Sequence, residues 1–369
     1  MTLPASGAIG LFDVNTELGR TNNAQLGLLC TNVRGLFGDA SGAVSMFDGY
    51  GKSNASYLCI TTSGACVTTC GNYKIARFYG SGSFTINRVG CGVGNAGSHI
   101  NYVVVAGGGS GGARTLYNLG TSGGGGAGGV LNDCSNICSS GGASVSARTY
   151  TVTVGGGGST SGGSSCGVGH NSSIACLIST TGGGNGPTVE RSQCTNGGSG
   201  GGAQPTYIPS KGTGISGQGY GGGNGTYCYS CQCALQCGSY FLGGGGGGAS
   251  SVGGNAVSNI RGGNGGNGRS ISFVSSVYGR GGGGGSGFWA KGSHSCYGKG
   301  GCGSTSASRG AIDCCKSTKV TSQPGATNTG GGGGGSGMFS AACHSSYWGG
   351  CSVGSNGGSG IVAIRWRFQ

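Results

Sequence analysis

Acidic side chains are scarce: seven Asp and Glu stand against 20 Lys and Arg in 369 residues. Charge of either sign amounts to 7% of the chain. That is too little to keep a disordered chain solvated, because disorder rests on charge combined with low hydrophobicity, and 35% of these residues are hydrophobic. Proline is also rare, with five residues. The glycines follow no strict third-residue period, so a collagen triple helix is excluded. No run of about 18 apolar residues occurs, which excludes a predicted membrane-spanning helix. The opening stretch MTLPASGAIGLFDVNTELG has neither a basic region nor a continuous apolar run, so no secretion signal is expected.

Chemistry-bearing motifs are missing too. The four histidines, His99, His170, His294 and His344, belong to no H-E-x-x-H or H-x-E pattern, and Glu190 and Asp313 stand alone. GGNGGNG fits a loose phosphate-loop pattern, but no Lys-Ser/Thr follows it. No catalytic residue and no cofactor are expected, and the chain reads as a non-enzyme.

Glycine is what the chain has in excess: 97 residues, with six in a row at Gly243 to Gly248 and again at Gly330 to Gly335. An α-helix costs about 1 kcal/mol per glycine relative to alanine. A flat sheet of glycine has no side chains to set face or register. The remaining regular form is the polyproline-II helix, with three residues per turn and a rise of about 3.1 Å. Such helices leave every N–H and C=O pointing outward. Packed side by side without Cβ atoms, they bond each other, and three-fold symmetry lets an interior helix address six neighbours. The prediction is a hexagonal bundle in which a larger residue would force helices apart.

Residues 1–53 differ from the rest. Leu11, Val14 and Leu18, then Val33, Leu36 and Phe37, then Val44, Met46 and Phe47 fall at helical spacing. These predict two or three short helices that need a partner to dock on, with Met46, Phe47 and Tyr50 on one side. Three basic residues face four acidic ones here, whereas the remainder holds 17 basic against three acidic, a net +14. Such a body is drawn to anionic surfaces, although its basic residues are scattered and well-spread solubilising charge reads equally well. No basic cluster points to nucleic acid.

Residues 54–106 change to strand chemistry. KIARFYGSGSFTINRV predicts a hairpin about Gly80–Ser81–Gly82, and HINYVVVAGGG a strand over 100–106 that runs straight into glycine. Within the glycine-rich segment 107–358, Arg148 to Val154 alternates as a half-buried strand, and Gly360 to Phe368, within 359–369, closes the chain with another. A small β-scaffold therefore holds the ends of glycine segments threaded out and back.

Twenty cysteines punctuate the loops. Cys66/Cys70, Cys134/Cys138, Cys166/Cys176, Cys296/Cys302, Cys314/Cys315 and Cys343/Cys351 are close in sequence and read as loop staples or small buried thiols. Cys228, Cys231, Cys233 and Cys237 supply four thiols within ten residues, but zinc sites usually separate two C-x2-C pairs by a longer spacer. No metal is expected; these four are the candidates if one binds. The connectors also carry aromatics: Tyr117, Tyr207, Tyr220, Tyr227, Tyr229, Tyr240, Tyr278, Phe288, Trp289, Tyr297, Tyr347 and Trp348. They read either as anchors of the bundle's outer faces or as a recognition surface, where Tyr and Trp concentrate.

FYGSGSFTI, NYVVVAGGGSGG, SGGGGAGGV, YTVTVGGGG and NGGSGIVAIRW, in this order over 74–369, resemble the glycine-rich domain of phage tail and fibre proteins. VNTELG…VRGLFGDASGAVSMFDGYGKS resembles a short N-terminal module of phage virion proteins. The resemblance implies a mainly β, jelly-roll-like sandwich scaffold with an inserted polyglycine-II bundle. It further implies a tail fibre or tail-tip adhesin, attached to other virion tail proteins through residues 1–53, whose body meets bacterial polysaccharide, lipopolysaccharide or an outer-membrane protein. The receptor-contact candidates are then Tyr117, Tyr207, Tyr227, Tyr229, Tyr240, Phe288, Trp289, Tyr297, Tyr347 and Trp348. A homo-oligomer is implied, a trimer by analogy with fibres, made in the host cytoplasm and released by lysis. Two alternatives stand beside this: a purely structural virion part (spacer, appendage or capsid decoration) and a metal-binding cysteine protein.

Overall fold

The computed structural model describes residues 3–21, 24–38, 41–50, 56–90, 94–112, 121–134, 141–160, 167–187, 195–205, 211–233, 236–257, 261–282, 286–290, 322–337 and 354–369.

The N-terminal segment forms two short helices, α1 (Leu11–Glu17) and α2 (Thr31–Phe37), and a 3-10 turn at Met46–Gly49. Asp13 reaches back to accept from the Gly10 N–H at 2.8 Å, and Asp48 accepts from the Ser45 N–H at 2.7 Å; both are capping contacts. Gly38 ends α2 in the left-handed region, φ +86°, as helix C-termini favour. Leu3, Val14, Val33, Leu36 and Phe37 bury one another in a small core. The expected need for an outside partner is thus met in part within the segment. Nor do Met46 and Phe47 share a side: Met46 packs against this core, whereas Phe47 is 76% exposed.

Sixteen strands follow in the described residues: β1 (Cys59–Ser63), β2 (Cys66–Cys70), β3 (Tyr73–Phe78), β4 (Gly82–Arg88), β5 (His99–Val105), β6 (Val130–Asp133), β7 (Ala143–Ser144), β8 (Thr149–Thr153), β9 (Ser172–Ile174), β10 (Ile178–Thr180), β11 (Thr226–Cys233), β12 (Gln236–Leu242), β13 (Arg269–Ile271), β14 (Ser276–Tyr278), β15 (Ser286–Ala290) and β16 (Ile361–Arg367). The chain is mainly β, and residues 107–358 carry more strands than the expected one at 148–154. Two antiparallel sheets, ordered β1-β4-β8-β9-β10 and β2-β3-β16-β5-β6, face each other as a sandwich. Ala76, Phe78, Ile100, Val104, Val362, Ile364 and Trp366 from one sheet meet Phe84, Ile86, Tyr150, Val152 and Ile174 from the other. Phe84 and Tyr150 stack with ring centres 5.0 Å apart.

The predicted hairpin about Gly80–Ser81–Gly82 does not form. β3 pairs with β2 and β16, and β4 with β1 and β8, so the chain crosses between sheets there. Burial decides this: Phe78 and Phe84 are both fully buried, and crossing the sandwich lets each face the same core from opposite sides. Strand β8 keeps its predicted alternation, with Tyr150 and Val152 inside and its three threonines outside. β16 is central and covered on both faces, because Ile361 and Ala363 pack with Ile75, Val103, Val105, Ile271, Val274 and Tyr278.

Glycine segments leave and re-enter this sandwich as a hydrogen-bonded lattice. Along 121–129, Ser122, Gly125 and Gly128 donate to Ser336, Gly333 and Gly330; Gly124 and Ala127 donate to Gly244 and Gly247; Gly126 and Gly129 donate to Gly184 and Thr181. Every third residue addresses the same neighbour, which is the three-residue turn of this helix. Its carbonyls accept from Ala106, Gly109 and Gly112, from Ser199 and Gly202, and from Gly282. The segment therefore has six neighbouring segments, as the three-fold argument predicts. It runs parallel to 243–249 and antiparallel to 106–112 and 330–336, because bare backbone imposes no polarity. Over nine residues it spans about 28 Å.

Close approach explains the glycine. A Cβ on Gly125 would lie 2.2 Å from the Gly109 carbonyl oxygen, and one on Gly246 1.9 Å from that of Gly125. Yet Ser110, Ser122, Ser199, Ser336, Ala127, Ala203 and Ala249 are buried inside the lattice, so small side chains are admitted. Several sit opposite a glycine: a Cβ on Gly112 would meet Ser122 Cβ at 2.5 Å, one on Gly167 Ser110 Oγ at 1.9 Å, and one on Gly279 Ala249 Cβ at 2.8 Å.

Candidate binding surface at the far end of the glycine bundle

One end of the bundle is held by the sandwich. Segment 106–112 leaves β5, 121–129 runs into β6, 181–187 leaves β10 and 354–360 runs into β16. At the opposite end Gly112, Thr121, Ser122, Pro187 and Ser336 converge. Ser122 Oγ donates to the Gly112 carbonyl at 2.7 Å and pairs with Ser336 Oγ at 2.9 Å. A Cβ on Gly112 would touch the Pro187 oxygen at 2.6 Å. Thr121 Oγ1 donates to the Phe241 carbonyl at 2.9 Å, which ties strand β12 to this end.

On the connector between 225 and 243, β11 and β12 pair antiparallel. They belong to a three-stranded antiparallel sheet, β11-β12-β15, whose middle strand continues directly into Gly243 to Gly248. Cys228, Tyr240 and Phe288 occupy one register row, Tyr227, Phe241 and Gly287 the next, and Trp289 pairs with Ser239. Tyr229 falls where the β11 register shifts, between Cys228 and Cys231. Five of the ten expected contact residues (Tyr227, Tyr229, Tyr240, Phe288 and Trp289) thus share a sheet. The other five, Tyr117, Tyr207, Tyr297, Tyr347 and Trp348, lie outside the described residues. The four candidate thiols divide between these two strands: Cys228, Cys231 and Cys233 on β11, with Cys237 opposite Gln232 on β12.

A second feature lies on the sandwich. A cleft of about 400 Å³ is lined by Arg77, Tyr79, Tyr278, Arg280, Asn328 and Thr329. Tyr278, expected on a connector, is 4% exposed and belongs to the core beneath the sheet. Burial pushes its phenol pKa up, against the opposing effects of a Ser276 hydrogen bond and the Arg77 charge. Tyr79 is half-exposed at the rim. Arg77 Nη1 donates to Thr68 Oγ1 at 3.0 Å. Asn328, in the left-handed region at φ +58°, is fixed by its N–H to Ser359 Oγ at 2.9 Å. Among the described residues, no carboxylate lines the cleft.

Elsewhere on the sandwich the cations lie over rings. Arg365 sits 4.9 Å above Tyr73 and 5.2 Å from Phe273, and holds Asn101 Oδ1 at 2.6 and 3.0 Å. Arg367 lies over Tyr57 and Lys74 over Phe368, each at 4.8 Å. Part of the basic charge is thereby structural.

Residues 81–367 match the family described as the glycine-rich domain, well over half of the chain. This chain belongs to the glycine-rich domain family. The match to that domain begins one residue before β4 and ends on the last residue of β16, so β1, β2, β3 and the N-terminal helices lie before it. No curated protein matches the chain. In this glycine-rich domain protein, sequence reasoning missed the cleft. Its members come from positions 77–79, 276–280, 328–329 and 361, and only the tertiary fold joins them; two arginines each within two residues of a tyrosine are the sole local signal.

Proposed function

We propose that this chain is a phage virion protein, a tail-fibre or tail-tip adhesin, in which the sandwich and glycine bundle form a rigid stalk that presents connectors to a bacterial surface. The observation that carries the reading is the polarity of the bundle: one end is closed by the sandwich, and the other ends in a sheet bearing Tyr227, Tyr229, Tyr240, Phe288 and Trp289. Aromatic residues on a rigid element give contact area at low entropic cost. The two arginines that line the cleft, Arg77 and Arg280, support an anionic ligand such as an acidic saccharide or a lipopolysaccharide phosphate. The exposed Leu11, Phe12, Leu29 and Phe47 support docking of the N-terminal segment on other virion proteins.

The test is retention of the purified full chain on an array of bacterial polysaccharides and lipopolysaccharides at ~50 mM and ~500 mM NaCl, since salt screens exposed charge. An adhesin binds a subset, more weakly in salt. A purely structural spacer, favoured by the arginines already stacked on rings, binds none.

A further inference from the structure

Strand β2 is the edge of its sheet, and all five of its residues, CVTTC, are exposed. Its two cysteines are free thiols. They cannot bridge each other: four residues along one strand place them about 13 Å apart, well beyond the Cα separation a disulfide spans. Neither expected reading of Cys66/Cys70, loop staple or small buried thiols, holds: both are exposed free thiols.

The hydrogen-bond parity of the edge follows from its neighbours. The Phe368 N–H donates to the Asn72 carbonyl at 3.1 Å, and Trp366 pairs with Lys74. Even-numbered residues of β3 thus address β16, and odd-numbered ones address β2. Cys66, Thr68 and Cys70 pair with Arg77, Ile75 and Tyr73, so their main-chain groups point inward to β3. This agrees with the two-residue turn Gly71–Asn72, where Gly71 at φ +55° suits the first position of a II′ hairpin. The main-chain groups of Val67 and Thr69 consequently point out of the open edge.

CVTTC is also self-complementary. Laid antiparallel on a second copy about Thr68, Val67 pairs with the other Thr69, and each Cys66 lies opposite the other Cys70. With Val67 and Thr69 forming the hydrogen-bonded pairs, the cysteines fall at non-hydrogen-bonded pairs, where Cα atoms are about 4.5 Å apart. That lies within disulfide range, about 4.4–6.8 Å.

We infer that β2 is an isologous dimerisation edge: two copies of this chain pair edge to edge, and in an oxidising medium two symmetry-related Cys66–Cys70 disulfides lock them. Exposed edges are ready templates for such pairing, and a two-fold axis makes one patch serve both partners. The contact differs from the trimer expected by analogy with fibres. Oxidation proceeds by thiol–disulfide exchange with a small-molecule disulfide such as oxidised glutathione. One protein thiolate attacks it and releases a glutathione thiolate. The facing protein thiolate then displaces the second, so two protein thiols are oxidised and one external disulfide is reduced to two thiols.

The experiment equilibrates the full chain with oxidised glutathione and reads covalent dimer on non-reducing gels and mass by light scattering. Cys66→Ser alone and Cys70→Ser alone should each lose the covalent dimer, because each remaining thiol then faces a serine. Mixing the two variants should restore it. Val67→Pro removes an outward N–H without touching the β2–β3 ladder, so it should abolish dimer with circular dichroism unchanged. The inference is overturned if either cysteine variant alone cross-links like the parent, if the mixture does not, if Val67→Pro still dimerises, or if the parent stays monomeric or forms only trimer. None of these outcomes depends on receptor binding.

Discussion

Ser122 and Ser336 share a hydrogen bond of 2.9 Å across 214 residues of sequence. The Ser336 N–H also donates to Ser122 Oγ at 2.8 Å, and the Ser122 N–H donates to the Ser336 carbonyl at 3.2 Å. Two hydroxyls replace hydrogen atoms of glycine in adjacent helices and tie these together at the end of the bundle away from the sandwich. They show one way in which the lattice admits a side chain: the neighbours leave room and both hydroxyls are hydrogen-bonded.

Ser122→Ala should therefore destabilise the protein although alanine is smaller. It leaves the buried Ser336 N–H unanswered, a loss of about 1–3 kcal/mol. The midpoint of urea unfolding measures it; a change within error would show that water replaces the hydroxyl.

Gly125→Ala should be far more damaging. Its Cβ meets backbone on a rigid neighbour at 2.2 Å, and severe overpacking of this kind costs about 4 kcal/mol or more. Gly35→Ala is the control: it lies in α2 with nothing within 4 Å of the added atom, and should stabilise by up to about 1 kcal/mol. Thermal unfolding of both variants separates a steric requirement for glycine from a compositional habit.

Alkaline pH should expose the burial of Tyr278. Its folded pKa is raised above the ordinary value of 10.0, so the unfolded chain releases this proton first. The contribution is full below pH 10 and declines as pH rises through the folded pKa. Tyr102 adds to the decline, being raised by burial and then by Asp133. Tyr150 opposes it: burial acts to raise that phenol, but hydrogen bonds from Ser146 and the nearby Arg148 bring its pKa down. Tyr278→Phe should fall off less steeply than the parent in denaturant midpoints taken at successive pH values above 10.

If the cleft takes an anion, Arg77→Ala with Arg280→Ala should weaken retention on acidic polysaccharide by about tenfold or more, in line with the strength of charge-assisted hydrogen bonds. Neutral polysaccharide binding should not change. Equal loss on both would point to a packing role for these arginines.

Local features were legible where one residue type carries the physics. Alternation along β8 predicted its buried Tyr150 and Val152, and the helical spacing of Val14, Val33, Leu36 and Phe37 predicted the N-terminal helices. The hairpin predicted about Gly80–Ser81–Gly82 fails because GSG marks a reversal without saying whether the strands pair or separate into two sheets. The real hairpin, at Gly71–Asn72, had a weaker signal than the Gly-Ser-Gly that attracted the prediction. The aromatic connector reads as loop, since TYCYSCQC also fits an irregular cysteine-rich turn; its pairing with β12 is local but carries no turn signal that sets it apart, and the pairing of β12 with β15 is non-local.

By itself the sequence determined that main chain would pack on main chain, because the absence of a Cβ is a property of each glycine and needs no partner to express it. Which segment lies beside which was decided only by the tertiary structure. A glycine tract has no side chains to encode neighbour, polarity or register. Those choices fall to the strands that hold its ends and to the few serines and alanines, such as Ser122 and Ala249, that fit opposite a neighbour's glycine. The open β2 edge and the Arg77–Arg280 cleft are products of that assembly.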